Sequence, residues 1–187
     1  MTGLDEDVDP AWPRDHELLA RVCGQEPSSV APLTFGPPAS PHLAAALEGV
    51  HVEPPELLAA ARVAGERARA VVVEGVGGLL VPLTLGYSIR DFAVDLALPV
   101  VVAARPGLGT ISHTLLTLEA ARAAGLTVAG VVFTPWPAAP TAIEGDNRAT
   151  VQRLGGVPVA ALPPIERGDP DLLARAASDL PVGDWLS

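Results

Sequence analysis

Runs of branched apolar residues punctuate this chain at intervals, and polar, helix-patterned stretches lie between them. Ala70–Val73, Val100–Ala104, Val128–Thr134 and Pro158–Leu162 are short and rich in valine, as strands buried on both faces of a parallel sheet are. The intervening segments carry helix signals. Asp15 sits as an N-cap before His16–Val22, which ends at Gly24. Ser40 caps a helix that Pro41 opens and that runs to about Glu48. A longer helix starts at Pro54-Pro55 and reaches Arg69, leading straight into the first valine run. Ser88 caps a helix holding Phe92, Val94, Leu96 and Leu98, and further helices are expected over 110–125, about 141–154 and 171–177. This alternation predicts an α/β fold with a parallel sheet and helices on both faces, in one domain over residues 1–187.

The first valine run stops at Glu74-Gly75-Val76-Gly77-Gly78. A carboxylate at the C-terminal end of a buried strand stands where open α/β sheets bind ligands. The glycines let the backbone reach positive φ and approach a ligand closely. An anion beside Glu74 needs a metal ion between them, which suggests Mg²⁺ and phosphate. Alone, the same residues also describe a strand ending in a solvated glycine turn.

Composition narrows the choice. The chain has 187 residues, 49% of them hydrophobic and 18% charged, so it can form a substantial core. A formal charge of −10 argues against nucleic acid as a partner. No apolar run approaches a membrane span, and the single cysteine, expected to be a small buried residue, fits a reducing, cytoplasmic setting. The acidic stretch Met1–Pro13 is expected to be a mobile, solvated terminus. All 12 basic residues are arginine, so no G-x-x-x-x-G-K-[ST] loop is present. Arg105–Gly109 forms a turn, and the following helix directs free N–H groups toward the same sheet edge as Glu74.

Taken in order, Asp15 opening a helix, Thr34–His42, Val73–Gly78 with Val81-Pro82-Leu83, and Leu108–Thr117 resemble the dethiobiotin synthetase family over nearly the whole chain. The resemblance implies a phosphate-loop NTPase-like α/β fold and an ATP- and Mg²⁺-dependent ligase of biotin biosynthesis. In that reaction 7,8-diaminopelargonate is carbamylated by CO₂ (or bicarbonate), the carbamate is phosphorylated, and the ureido ring closes. It implies Asp15 and Glu74 as metal ligands. Asp15 and Glu74, with Gly75, Val76 and Gly77, line the nucleotide. Thr134, Pro135, Pro163, Pro164, Ile165 and Asp171 surround its base and ribose. Thr2 lies beside the diamine, and Leu108, Ser112 and Asn147 grip the distant carboxylate, with a second subunit of a homodimer contributing.

Some positions depart from the family pattern. Thr134-Pro135 replaces an asparagine that reads adenine, which leaves room for another nucleoside triphosphate, and Ser112 replaces an asparagine at the carboxylate grip. The family's first strand, phosphate loop with its lysine, first helix and a second strand ending in Lys-Pro would precede Met1-Thr2-Gly3. The catalytic lysine is therefore expected upstream of Met1, and these residues alone are expected to be inactive. A sheet lacking its interior strand is expected to show an open groove lined by valine and alanine. Two other readings are a non-catalytic paralogue that binds a substrate-like ligand or a partner, and an amidoligase domain of the cobyrinate type.

Overall fold

The structure is a computed structural model that describes residues 1–186. The chain divides into two compact units, Met1–Leu96 and the residues from Ala97 onward.

The first unit contains α1 (Asp15–Cys23), α2 (Pro27–Val30), α3 (Pro41–Glu48), α4 (Pro54–Glu66), β1 (Pro82–Thr84), β2 (Tyr87–Ser88) and α5 (Ile89–Leu96). Prolines at the first helical position open α3 and α4, where a missing N–H is harmless. Gly24 and Gly49 close α1 and α3 in the left-handed conformation. Ser88 and Asp91 cap α5 reciprocally. The Ser88 N–H donates to Asp91 Oδ2 at 2.8 Å, and the Asp91 N–H donates to Ser88 Oγ at 3.3 Å. The core of this unit gathers Phe35, Ala44, Ala45, Val52, Leu83 and Phe92.

In the second unit β3 (Val100–Ala104), α6 (Thr110–Ala123), β4 (Val128–Phe133), α7 (Ala142–Gly155) and β5 (Val159–Ala161) precede α8 (Pro170–Ala176) and α9 (Val182–Trp185). The three strands form a parallel sheet in the order β3-β4-β5, with Ala104 opposite Phe133 and Phe133 opposite Ala161. Helices α6 and α7 supply the crossovers that parallel neighbours require. Leu118, Val131, Phe133, Val151 and Val157 form the core between this sheet and its helices. Thr141 starts α7 with a full capping box, its N–H donating to Glu144 Oε2 at 2.7 Å. The α/β class is thus borne out, with the parallel part in the second unit.

Several expectations are corrected. Ala70–Val73 is not a strand, and Val72 is 89% exposed. No backbone N–H or carbonyl of residues 70–77 has a backbone partner among the described residues. A strand exists through its ladder, so a β-branched run that finds no ladder partner does not become one. The three strands of the parallel sheet are contiguous. β3 is an edge strand, and its alternate residues are exposed rather than buried on both faces.

Arg14, not Asp15, is the N-cap of α1. Asp15 is its first helical residue, because the Arg14 N–H is the group that Glu17 Oε2 accepts, at 3.3 Å. Helix α4 ends at Glu66, before Arg69, and Leu98 lies beyond α5. Cys23 is exposed at the end of α1. The stretch expected to be a loose terminus is tied down at its start, since Phe35 donates to the Met1 carbonyl at 2.9 Å and Asp5 to the Gly36 carbonyl at 2.8 Å. Residues 5–10 are exposed, as their charge demands.

Candidate active site

Glu74 stands where the valine run gives way to the glycine turn. Each glycine there has its own reason. A Cβ on Gly75 would lie 2.8 Å from Ile89 Cγ2, so packing against α5 excludes a side chain. Gly77 has φ +76°, a conformation that side chains disfavour. Gly78 meets nothing within 4 Å and has no such φ. Downstream, Arg90 donates to the Leu79 carbonyl at 2.8 Å and Ile89 to the Val81 carbonyl at 2.9 Å, which fastens the turn to the start of α5.

Asp15, exposed in the first turn of α1, acts electrostatically on Glu74. The Glu74 carboxyl is raised above its ordinary value, first by desolvation and then by the Asp15 carboxylate. The residue as a whole is exposed, so that desolvation is partial. Among the described residues no cation is a cause of the shift. Two carboxylates without a counter-charge are a donor set that suits Mg²⁺, which takes one or two carboxylates and completes its shell with waters and phosphate oxygens. No group of three or more His, Cys, Asp or Glu side chains converges among the described residues, so a cage made wholly of protein ligands is not what these side chains build. Beside Asp15, His16 Nδ1 is buried without a hydrogen-bond partner among the described residues.

A cleft of about 420 Å³ in the same unit brings Thr2, Val76 and Gly77 together with Ser40 and Pro41. Thr2 and the glycine turn, far apart in sequence, therefore share one wall.

The second unit gathers the remaining candidates in two places. Leu108 is fully exposed at the tip of the loop after β3, and Ser112 is exposed in the first turn of α6. Asn147, on α7, is 7% exposed, and its amide donates to the carbonyls of Pro106 at 2.9 Å and Gly107 at 3.4 Å. It therefore anchors the loop that presents Leu108. Thr134 and Pro135, joined by a cis peptide, follow β4. Pro163, Pro164 and Ile165 follow the adjacent β5. The Trp136 N–H donates to the Leu162 carbonyl at 2.7 Å and the Leu162 N–H to the Phe133 carbonyl at 2.9 Å, so the two strand ends lie side by side. Asp171 is exposed in the first turn of α8, where Asp169 is the cap and accepts from the Asp171 N–H at 3.0 Å.

Two arrangements escape sequence reasoning. Ser40 Oγ lies 3.0 Å from His42 Nδ1. The Arg148 guanidinium sits over the Trp136 ring at 5.4 Å and donates to the Val159 carbonyl at 3.2 Å. The first was open to inference from Ser-Pro-His at a helix start. The second joins residues whose proximity only the fold of β4 and α7 creates.

An AAA domain family matches residues 8–170. The ATP-dependent dethiobiotin synthetase of Anaeromyxobacter dehalogenans (strain 2CP-1) is 44% identical over 177 residues, covering 90% of this chain and 75% of the relative. Its counterpart in Novosphingobium aromaticivorans is 41% identical over 182 residues, covering 96% and 80%. That of Nitrobacter hamburgensis is 38% identical over 193 residues, covering 100% and 82%. On these matches, the chain belongs to the dethiobiotin synthetase family.

Proposed function

We propose that this chain carries the metal, nucleotide and substrate surfaces of an ATP-dependent ligase that makes dethiobiotin from 7,8-diaminopelargonate and CO₂. The reading is supported by membership of the dethiobiotin synthetase family together with the electrostatic action of Asp15 on Glu74 beside the glycine turn. Mg²⁺ held there would neutralise triphosphate oxygens and the phosphoryl group in transfer. Asp15 is the first helical residue of α1, so its backbone is fixed by the helix, while Gly75 seats the turn against Ile89 and so sets where Glu74 stands. Gly77, with φ +76°, lets the turn take its left-handed conformation. Thr134, Pro135, Pro163, Pro164 and Ile165 form the wall for the base, and Asp171 lies near its ribose. Leu108, Ser112 and the loop that Asn147 anchors receive the distant carboxylate, completed by a second copy of the chain in a cytoplasmic homodimer.

The 12 cations of the chain are all arginine, so the lysines that family resemblance assigns to the phosphate loop and to catalysis are not among these residues. We therefore expect these 187 residues by themselves to bind ligands without forming dethiobiotin.

Titration calorimetry with ATP, with and without Mg²⁺, tests the metal assignment. Asp15→Asn and Glu74→Gln are each expected to weaken Mg²⁺-dependent binding by about tenfold or more, roughly 1.4 kcal/mol. Equal Mg²⁺ dependence in both variants and the unmodified chain would overturn it.

A further inference from the structure

The outer edge of β3 and the run before Glu74 each lack what the other offers. Val100 donates to the Thr127 carbonyl at 2.8 Å, and the Ala104 carbonyl accepts from Thr134 at 2.9 Å. In a parallel ladder the backbone groups of alternate residues face opposite sides, so those of Val101 and Ala103 face away from β4. β3 is the end strand of its sheet, and from Val101 to Ala104 its register with β4 is regular. The N–H groups and carbonyls of Val101 and Ala103 therefore line an open edge. Natural edges are guarded by charge, proline or bulges. Here residues 100–104 are all valine or alanine, and Val101 is exposed.

Ala70–Val73 is the matching element. Val73 packs against the Phe35–Phe92 cluster, which holds the run in place without pairing it. Val71 and Val73 are partly buried and Val72 is exposed between them, the alternation of an extended strand. Its backbone groups have no backbone partner among the described residues. Charge then selects a direction. Arg69 precedes the run and Glu74 follows it, while the exposed Arg105 follows β3. Parallel addition brings Glu74 beside Arg105, whereas antiparallel addition sets Arg69 against Arg105.

We propose that residues 70–74 of one copy of this chain add as a parallel strand to the β3 edge of a second copy. With Val72 opposite Val102, the Ala70 carbonyl accepts from Val101. Val72 donates to the Val101 carbonyl and accepts from Ala103, and Glu74 donates to the Ala103 carbonyl. Every open group on the edge is then satisfied, and Val72 gains a neighbour in Val102. The contact goes beyond the activity above and uses neither Leu108 nor Ser112, the surface assigned to the homodimer. Its two patches differ, so it is heterologous and one copy can use both at once. So short a strand makes a small interface, and its Kd is expected on the order of 0.1–1 mM.

Sedimentation of the 187-residue chain from about 10 μM to about 1 mM tests this. The average mass of the unmodified chain is expected to rise with concentration. Val72→Pro and Ala103→Pro each delete an N–H that the monomer does not use, and each is expected to weaken the association about tenfold or more. Mixing the two variants pairs an intact edge with an intact run and is expected to restore the rise. Arg105→Gln is expected to weaken association about twofold to fivefold, the weight of an exposed charge pair. Should Ala103→Pro loosen β3, Val101→Lys guards the same edge and leaves the ladder to β4 in place. A mass that does not rise with concentration would overturn the proposal. Association unchanged in Val72→Pro and Ala103→Pro would overturn it too and leave the homodimer as its source. Loss at the β3 edge alone, with Val72→Pro unaffected, would show two β3 edges pairing with each other and would also sink it.

Discussion

Val71-Val72-Val73 in the first unit and Val100-Val101-Val102 in the second are the same three residues after similar helical approaches, yet they end in different states. The second run opens β3, with Val101 opposite Gly130 and Ala104 opposite Phe133. The first has no ladder, leaves Val72 89% exposed and buries only part of itself, through Val73 against the Phe35–Phe92 cluster. The difference lies in what each meets. β3 finds β4 one crossover later, with α6 to cover it, whereas residues 70–77 find no strand to pair with among the described residues. β propensity is therefore a capacity to fit a pleated surface and not a structure by itself. The same freedom leaves Glu74 and the glycine turn at the end of an unpaired segment, where they can reach a ligand.

Hydrogen exchange would sharpen this contrast most. The amides of Val131, Val132 and Phe133, on a strand paired on both sides, are expected to be protected at least about a thousandfold more than those of Val71–Val73. Comparable protection in the two runs would show that the first pairs in solution. Next in size is the packing contrast. Leu118 is 1% exposed between α6 and the sheet, so Leu118→Ala is expected to cost about 2–5 kcal/mol. Val72→Thr, on the exposed run, is expected to stay within roughly 0.5 kcal/mol. Denaturant titration of both decides, and a cost at Val72 near that at Leu118 would break the comparison.

A smaller effect than at Leu118 is expected at the helix that follows the glycine turn. Ser88→Ala removes half of the cap of α5 and is expected to cost about 1 kcal/mol. The Ser88 side chain, then its backbone N–H, holds the Asp91 carboxyl below its ordinary value. A depressed carboxyl contributes stability that is full above the ordinary aspartate range and is lost as pH falls through the lowered value. Acid titration of stability should therefore lose part of that slope in Ser88→Ala. An unchanged acid slope would show that Asp91 is held by something else.

Much of the second unit was legible in advance. Val100–Ala104 matches its expected limits, Thr141 with Glu144 spells a capping box, and Gly125 and Gly156 take positive φ near helix ends. These are local signals, read from residues a few positions apart. The antiparallel pair Pro82–Thr84 and Tyr87–Ser88 went unforeseen because two short strands around Leu85-Gly86 carry too little periodicity. The candidate site divides the same way. Asp15, Glu74 and the glycine turn stand out through residue type, order and family resemblance, all of which lie in the chain.

By itself, then, the sequence determined roughly where the longer helices lie, the α/β class, the lack of any lysine and the motifs that mark the family. Tertiary structure alone decided which valine runs become strands, since pairing depends on a neighbour that no local window contains. It decided that Asn147 spends its amide on the carbonyls of Pro106 and Gly107, about forty positions back along the chain. It also placed Glu6, Ser40 and Gly77 around one cleft. Composition names the groups able to act, but their mutual distance is set by long-range packing and by the hydrogen bonds between Met1–Asp5 and Leu33–Pro37.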